Sequence, residues 1–366
     1  MKFSKNDTNA IKGIAIILMF FHHCFLDSRR WAAVPYSMLD EVKKITYFPV
    51  SFAPFSEKTI VYMASFSKIC VPIFVFLTGY GMAVSYQLRK NNSQKYVWNR
   101  IVSLMTGFWF VFIITQVLCV FTGRYNLIYG KGLVGIIRFI VDGMGLANLF
   151  KMPSFNSTWW YMSLAIVLIF IFPTVYRWIQ KEDWIVLVTA IILPRALHIT
   201  TLASDDFLRY FLAYLMGMYF QKRNLLVKIK QFMVGKNKII KGVIALLLLV
   251  LIIKCRQNAY IGWKYLDIWE GVAATYVIII SYVYILNWRY VCRMFRKLGE
   301  HSMNMFLIHT FYRDVFFHRF TYSFHNWALI VLVLLVILLL SSVVLEKLKD
   351  IIQYQKFPGY LKALIE

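Results

Sequence analysis

The chain has 366 residues, 60% hydrophobic and 18% aromatic, with 16% charged and a formal net charge of +24. That mixture excludes a soluble globular domain and places the chain among polytopic helical membrane proteins. Basic loops on one membrane face account for the excess charge, so no nucleic-acid partner is expected.

Lys2 and Lys5 precede a first apolar span, about 9–27, which puts the N-terminus in the cytoplasm. This run lacks a small-residue cleavage site and reads as a retained helix. It carries Lys12 near one end and His22 and His23 near the other. At about 100° per residue, Lys12 and His23 share a face, roughly 16 Å apart along the axis. A titratable ring within a bilayer is costly and marks a functional candidate. The plainer alternative is a snorkelling lysine and an interfacial histidine. His22 is offset by about 100° and reads as interfacial.

Residues 28–66 form an external segment rich in aromatics and proline, with Trp31, Tyr36, Tyr47 and Phe48. A second span, about 68–88, returns to Arg89, Lys90, Lys95 and Arg100, and a third, about 101–121, goes out. The stretch 132–150 holds Arg138, Asp142 and four glycines, and reads as amphipathic or re-entrant. Further spans follow at about 158–178, 184–199, 207–221, 242–254, 268–287, 299–317 and 326–345. The cytoplasmic loops between them carry Lys222 to Lys241 and Arg289 to Lys297. Leaving out 132–150, the expectation is an all-α transmembrane bundle of about ten spans with both termini inside. It is read as one domain over 1–366. Five isolated cysteines, with no pairing at metal spacing, read as packing residues, and no metal is expected.

Four stretches resemble the membrane acyltransferase-3 family. IKGIAIILMFFHH (11–23) is similar to its opening Arg-x10-His motif, with Lys12 in place of the commoner Arg and Asn9 where Asp is usual. VPIFVFLTGYGMA (71–83) is similar to its second-helix motif, with Thr78 for Ser. LRYFLAYLMGMYFQKR (208–223) and LGEHSMNMFLIHTFY (298–312) resemble two later helices. The resemblance implies ten spans and transfer of an acyl group, usually acetyl, from a cytoplasmic acyl-CoA to a hydroxyl of a glycan or another acceptor. It also implies a bacterial cell membrane.

On that reading Lys12 meets a CoA phosphate or the pantetheine arm, as a point charge and not a bidentate fork. His23 acts as general base or as acyl carrier, and the sequence leaves both open. Asp27 is a candidate to orient the ring. Tyr80 is a candidate oxyanion donor or a packing residue. His309 belongs to a cavity or to a packing network with Asn304 and Glu300. Trp159, Trp160 and Tyr161 are a stacking platform for sugar or an interfacial belt. The alternative function is a polytopic transporter or flippase of lipid-linked sugars. Against it, no inverted repeat is visible.

Overall fold

The computed structural model describes residues 3–25, 50–89, 92–121, 123, 125–197, 206–234, 237–316 and 318–364. Among these it is all-helical, with one isolated bridge between Ser51 and Asn326. The expected aromatic positions 31, 36, 47 and 48, and Asp27, lie outside the described residues.

Helix α1 (Lys5–Phe25) opens on a reciprocal cap: Ser4 Oγ accepts from the Asp7 amide, and the Asp7 carboxylate accepts from the Ser4 amide. Helix α2 (Glu57–Phe66) begins about ten residues before the expected second span. Ser56 Oγ accepts from the Thr59 amide, and Ile60 and Ala64 are buried one turn apart. A 3-10 turn, Ser67–Ile69, links it to α3 (Cys70–Arg89). Pro72 explains the tightened turn, because it has no N–H and its ring crowds the carbonyl four residues back.

Helices α4 (Ser93–Phe121), α5 (Tyr125–Tyr129) and α6 (Gly132–Gly143) follow. At 1.5 Å per residue the twelve residues of α6 extend about 18 Å, short of a ~30 Å hydrocarbon core. This fits a segment that does not cross alone. Helix α7 (Trp160–Lys181) is entered through a 3-10 turn, Ser157–Trp159, whose cap is Asn156 Oδ1 accepting from the Thr158 amide.

Then come α8 (Asp183–Ala196), α9 (Asp206–Arg223), α10 (Leu225–Val234), α11 (Lys238–Gln257), α12 (Ile261–Lys264) and α13 (Leu266–Val283). The basic stretch expected as a loop before the span at 299–317 is itself helical, α14 (Arg289–Glu300). That span is not one rod. A break at His301 leads to α15 (Ser302–Thr310), a π-helical turn (Phe311–Phe316) and α16 (His318–Tyr322). Helices α17 (Trp327–Ile351) and α18 (Phe357–Ala363) complete the chain. In α17, Ile330, Leu334 and Leu338 are buried at four-residue spacing, while Leu329, Leu332, Val336 and Leu340 are exposed, as for a helix with one face in protein and one in lipid.

Among the described residues, six stretches are long and apolar enough to cross a bilayer: Lys5–Phe25, Glu57–Leu88, Ser93–Phe121, Ser157–Lys181, Leu266–Asn287 and Trp327–Ile351. The chain divides into two compact units. The first comprises Met1–His22, Met63–Asn91 and Ile171–Ser302; the second comprises His23–Tyr62, Asn92–Phe170 and Met303–Glu366.

In the first unit α3, α9 and α13 pack together, with α8, α10 and α11 around them. Glycine sets the closest approach. A Cβ on Gly79 of α3 would run into the Tyr214 carbonyl of α9, and one on Gly217 of α9 into the Phe76 carbonyl. Likewise Gly13 of α1 faces the Phe295 carbonyl of α14, and Gly299 faces the Asn9 carbonyl. Small residues at such crossings let membrane helices meet backbone to backbone. In the second unit, the Trp109 indole of α4 donates to the Gly143 carbonyl and the Ser163 hydroxyl of α7 to the Gly145 carbonyl, fixing the end of α6.

Candidate active site

The second unit holds the chemistry-bearing rings. His23, near the C-terminus of α1, lies with its ring centroid 5.0 Å from that of His309 on α15. His309 is fully buried and His23 half-buried. The last carbonyls of α1 have no intrahelical partner. Arg313, on the π turn, donates to the His23 carbonyl, and Tyr322 Oη donates to the Cys24 carbonyl at 3.2 Å. A guanidinium at a helix C-terminus also complements its dipole. These two contacts fix the end of α1 and with it the position of the His23 ring.

His309 Nδ1 lies 2.6 Å from the Phe306 carbonyl, which can only accept. That contact assigns the proton to Nδ1 and leaves the Nε2 lone pair free of it. Nε2 faces Thr310 Oγ1 at 3.4 Å, and Thr310 Oγ1 is 3.3 Å from Thr158 Oγ1. The Trp159 indole donates to the Leu307 carbonyl at 3.1 Å. Trp159 is buried, and this contact holds α15 in place. Asn304, expected with His309, instead donates to Ser342 and Glu346 of α17.

A second polar cluster in this unit surrounds Asp142. Its Oδ2 accepts from Tyr129 Oη at 2.7 Å and the Phe155 amide at 2.8 Å, and Gln116 donates to Tyr129 Oη. Burial raises the Asp142 carboxyl above its ordinary value, against the amide of Phe155 and the hydroxyls of Ser154 and Tyr129, which favour the ionised form.

The other expected residues fall in the first unit. Lys12 is half-buried on α1, one residue before the Gly13 crossing with α14. Along α14, Arg289, Arg293 and Lys297 are exposed, so the crossing lies beside a basic surface. Tyr80 is buried, with its ring edge-on to Phe3 at 5.0 Å. His22, expected at an interface, is buried and its Nδ1 meets the Ala64 carbonyl at 2.9 Å. That unit also buries Glu270 between Arg209 and Arg256.

Sequence reasoning passed over Arg313, Tyr322 and Tyr129. Arg313 was visible as a cation inside an apolar stretch, which itself signals a functional or structural partner. The two tyrosines carry no such signal.

Membrane-length helices define an integral-membrane protein, and the second unit brings two imidazoles side by side. A family model described as an acyltransferase domain matches residues 6–346. The chain therefore belongs to the acyltransferase-3 family, and the protein is a multi-pass membrane acyltransferase. No curated protein and no solved structure matches it.

Proposed function

We propose that the protein is an O-acyltransferase of a bacterial cell membrane. It moves an acyl group, acetyl in the first instance, from cytoplasmic acyl-CoA to a hydroxyl of a cell-surface or lipid-linked glycan. The observation that carries the reading is the adjacency of the His23 and His309 rings inside a chain of this family. We further infer ten spans with cytoplasmic termini, since α8, α9, α11 and the α15 region supply the apolar segments beyond the six long ones.

His23 serves as general base. Its ring takes the proton of the acceptor hydroxyl as that oxygen attacks the thioester carbonyl. A C–O bond forms, the C–S bond breaks, and the thiolate leaves and recovers a proton. His309, held by the Phe306 carbonyl, orients the His23 ring. Arg313 supplies buried positive charge to the same unit for the developing oxyanion. The donor nucleotide carries phosphates that cannot enter hydrocarbon. Lys12 and the exposed cations of α14 suit them as point charges and forks.

Membranes carrying wild-type protein or His23→Ala are incubated with radiolabelled acetyl-CoA and envelope glycan. Labelling should fall by about 10²–10⁴-fold in the variant at equal protein level. Equal labelling of the glycan by both would remove His23 from the chemistry.

A further inference from the structure

The segment 142–160 of the second unit encloses a cavity of 170 Å³. Asp142 forms part of its wall together with Ser154, Ser157, Asn148, Trp159 and Trp160. A cavity of ~150 Å³ is enough for one six-membered ring. Drug-sized ligands occupy roughly 300–1,000 Å³, so a nucleotide is too large for this one. Its wall carries hydrogen-bonding groups of both kinds and indole surface, with no Lys, Arg or His among the described lining residues. Asn148 and Ser157 are exposed, whereas Asp142 is 1% exposed, so the cavity runs from a mouth at the protein surface to a buried carboxyl group.

We propose that this cavity is the acceptor subsite and takes one uncharged pyranose ring. The proposal rests on the acyl-transfer reading and names its second substrate. An indole face suits the C–H face of a sugar, while Asn148, Ser154, Ser157 and Asp142 suit its hydroxyls. The lack of a lining cation disfavours a uronate or a sugar phosphate, whose charge would lose hydration with no partner.

The cavity also lies close to the imidazoles. Ser157 and Trp159 line it, and Thr158 between them meets Thr310, which meets His309 Nε2. A sugar ring held here thus lies in the same compact unit as the imidazole pair, with the Thr158 and Thr310 hydroxyls between its wall and His309. Burial favours the neutral form of the Asp142 carboxyl, which can donate to a sugar oxygen as well as accept.

The test uses the full chain in lipid nanodiscs and saturation-transfer difference NMR. The probes are the methyl glycosides of glucose, galactose, mannose and N-acetylglucosamine, with methyl glucuronide as the charged control. At least one uncharged glycoside should show saturation, and the glucuronide should show none. Asn148→Trp fills the mouth from an exposed position and should abolish the signal. Trp160→Ala should weaken binding about tenfold through the lost stacking surface.

In parallel, glycan labelling from radiolabelled acetyl-CoA should show an acceptor KM raised about tenfold in Trp160→Ala, with donor KM unchanged. No saturation by any uncharged glycoside on wild type, or undiminished saturation in Asn148→Trp, would overturn the subsite. Loss of saturation in Asn148→Trp from a wild type that transfers no acyl group would uphold the sugar site and reject the acyl-transfer reading. Transfer that proceeds with unaltered acceptor KM in both variants would do the opposite.

Discussion

Glu270 in the first compact unit and Asp142 in the second are both buried carboxylates, held in opposite ways. Glu270, in the first, is fully buried between two guanidinium groups, Arg209 and Arg256. Asp142, in the second, is held by neutral donors, the Tyr129 hydroxyl and the Phe155 amide. A buried ion pair that satisfies its charges adds rigidity and has no proton to give. A buried acid among neutral partners keeps a proton within reach. In the second unit the His309 imidazole meets the Phe306 carbonyl, the Thr310 hydroxyl and the His23 ring.

The largest effect should come from Glu270→Gln. It leaves Arg209 and Arg256 buried as like charges with no anion between them. The expected loss is about 3–5 kcal/mol. It would be read as a collapse of the monodisperse peak in detergent and of the unfolding midpoint. A variant as stable as wild type would mean that lipid headgroups or water already neutralise the pair, and the contrast with Asp142 would fail.

His309→Gln comes next, and acts on rate. Glutamine can still donate to the Phe306 carbonyl but offers the His23 ring no imidazole partner. Transfer should fall by about 10²-fold with donor KM and the unfolding midpoint unchanged. A change confined to stability would return His309 to packing.

Much of the fold was legible because a bilayer imposes simple rules. The long apolar spans at α4 and α17 follow from length and hydropathy alone. The extension of the second span back through α2 was hidden, since Glu57, Lys58 and the aromatics around them read as an external segment. Helix α14 was hidden for a similar reason. Its cations suggest a loop, yet Phe295 and Leu298 recur at helical spacing and Gly299 fits against α1.

The four motifs that carry the family resemblance gain a physical cause. Gly13 and Gly299 share one crossing, and Gly79 and Gly217 another. These stretches are recognisable partly because backbones touch there, independent of any role in chemistry. The site was only half legible. His23 stood out on its own helix, but nothing local in the sequence pairs it with His309 or brings Arg313 to its carbonyl. Those contacts depend on the break at His301 and the π turn, which long-range packing selects.

The smallest effect, and the sharpest measure of the contrast, is expected from Asp142→Asn. Asparagine keeps a carbonyl oxygen that can accept from both the Tyr129 hydroxyl and the Phe155 amide, and its amide can reach the Ser154 hydroxyl. Burial already pushes the native carboxyl toward its neutral form, so a neutral side chain of the same shape loses little. The expected cost is about 1 kcal/mol or less, seen as a small shift of the detergent unfolding midpoint. The same carboxylate-to-amide change at Glu270 should cost several times more, because there the negative charge itself holds two cations in the interior. If the two substitutions proved equally damaging, Asp142 would have to be ionised and paired in the folded protein. Its place at the floor of a sugar subsite would then rest on acceptance alone, with no proton to donate.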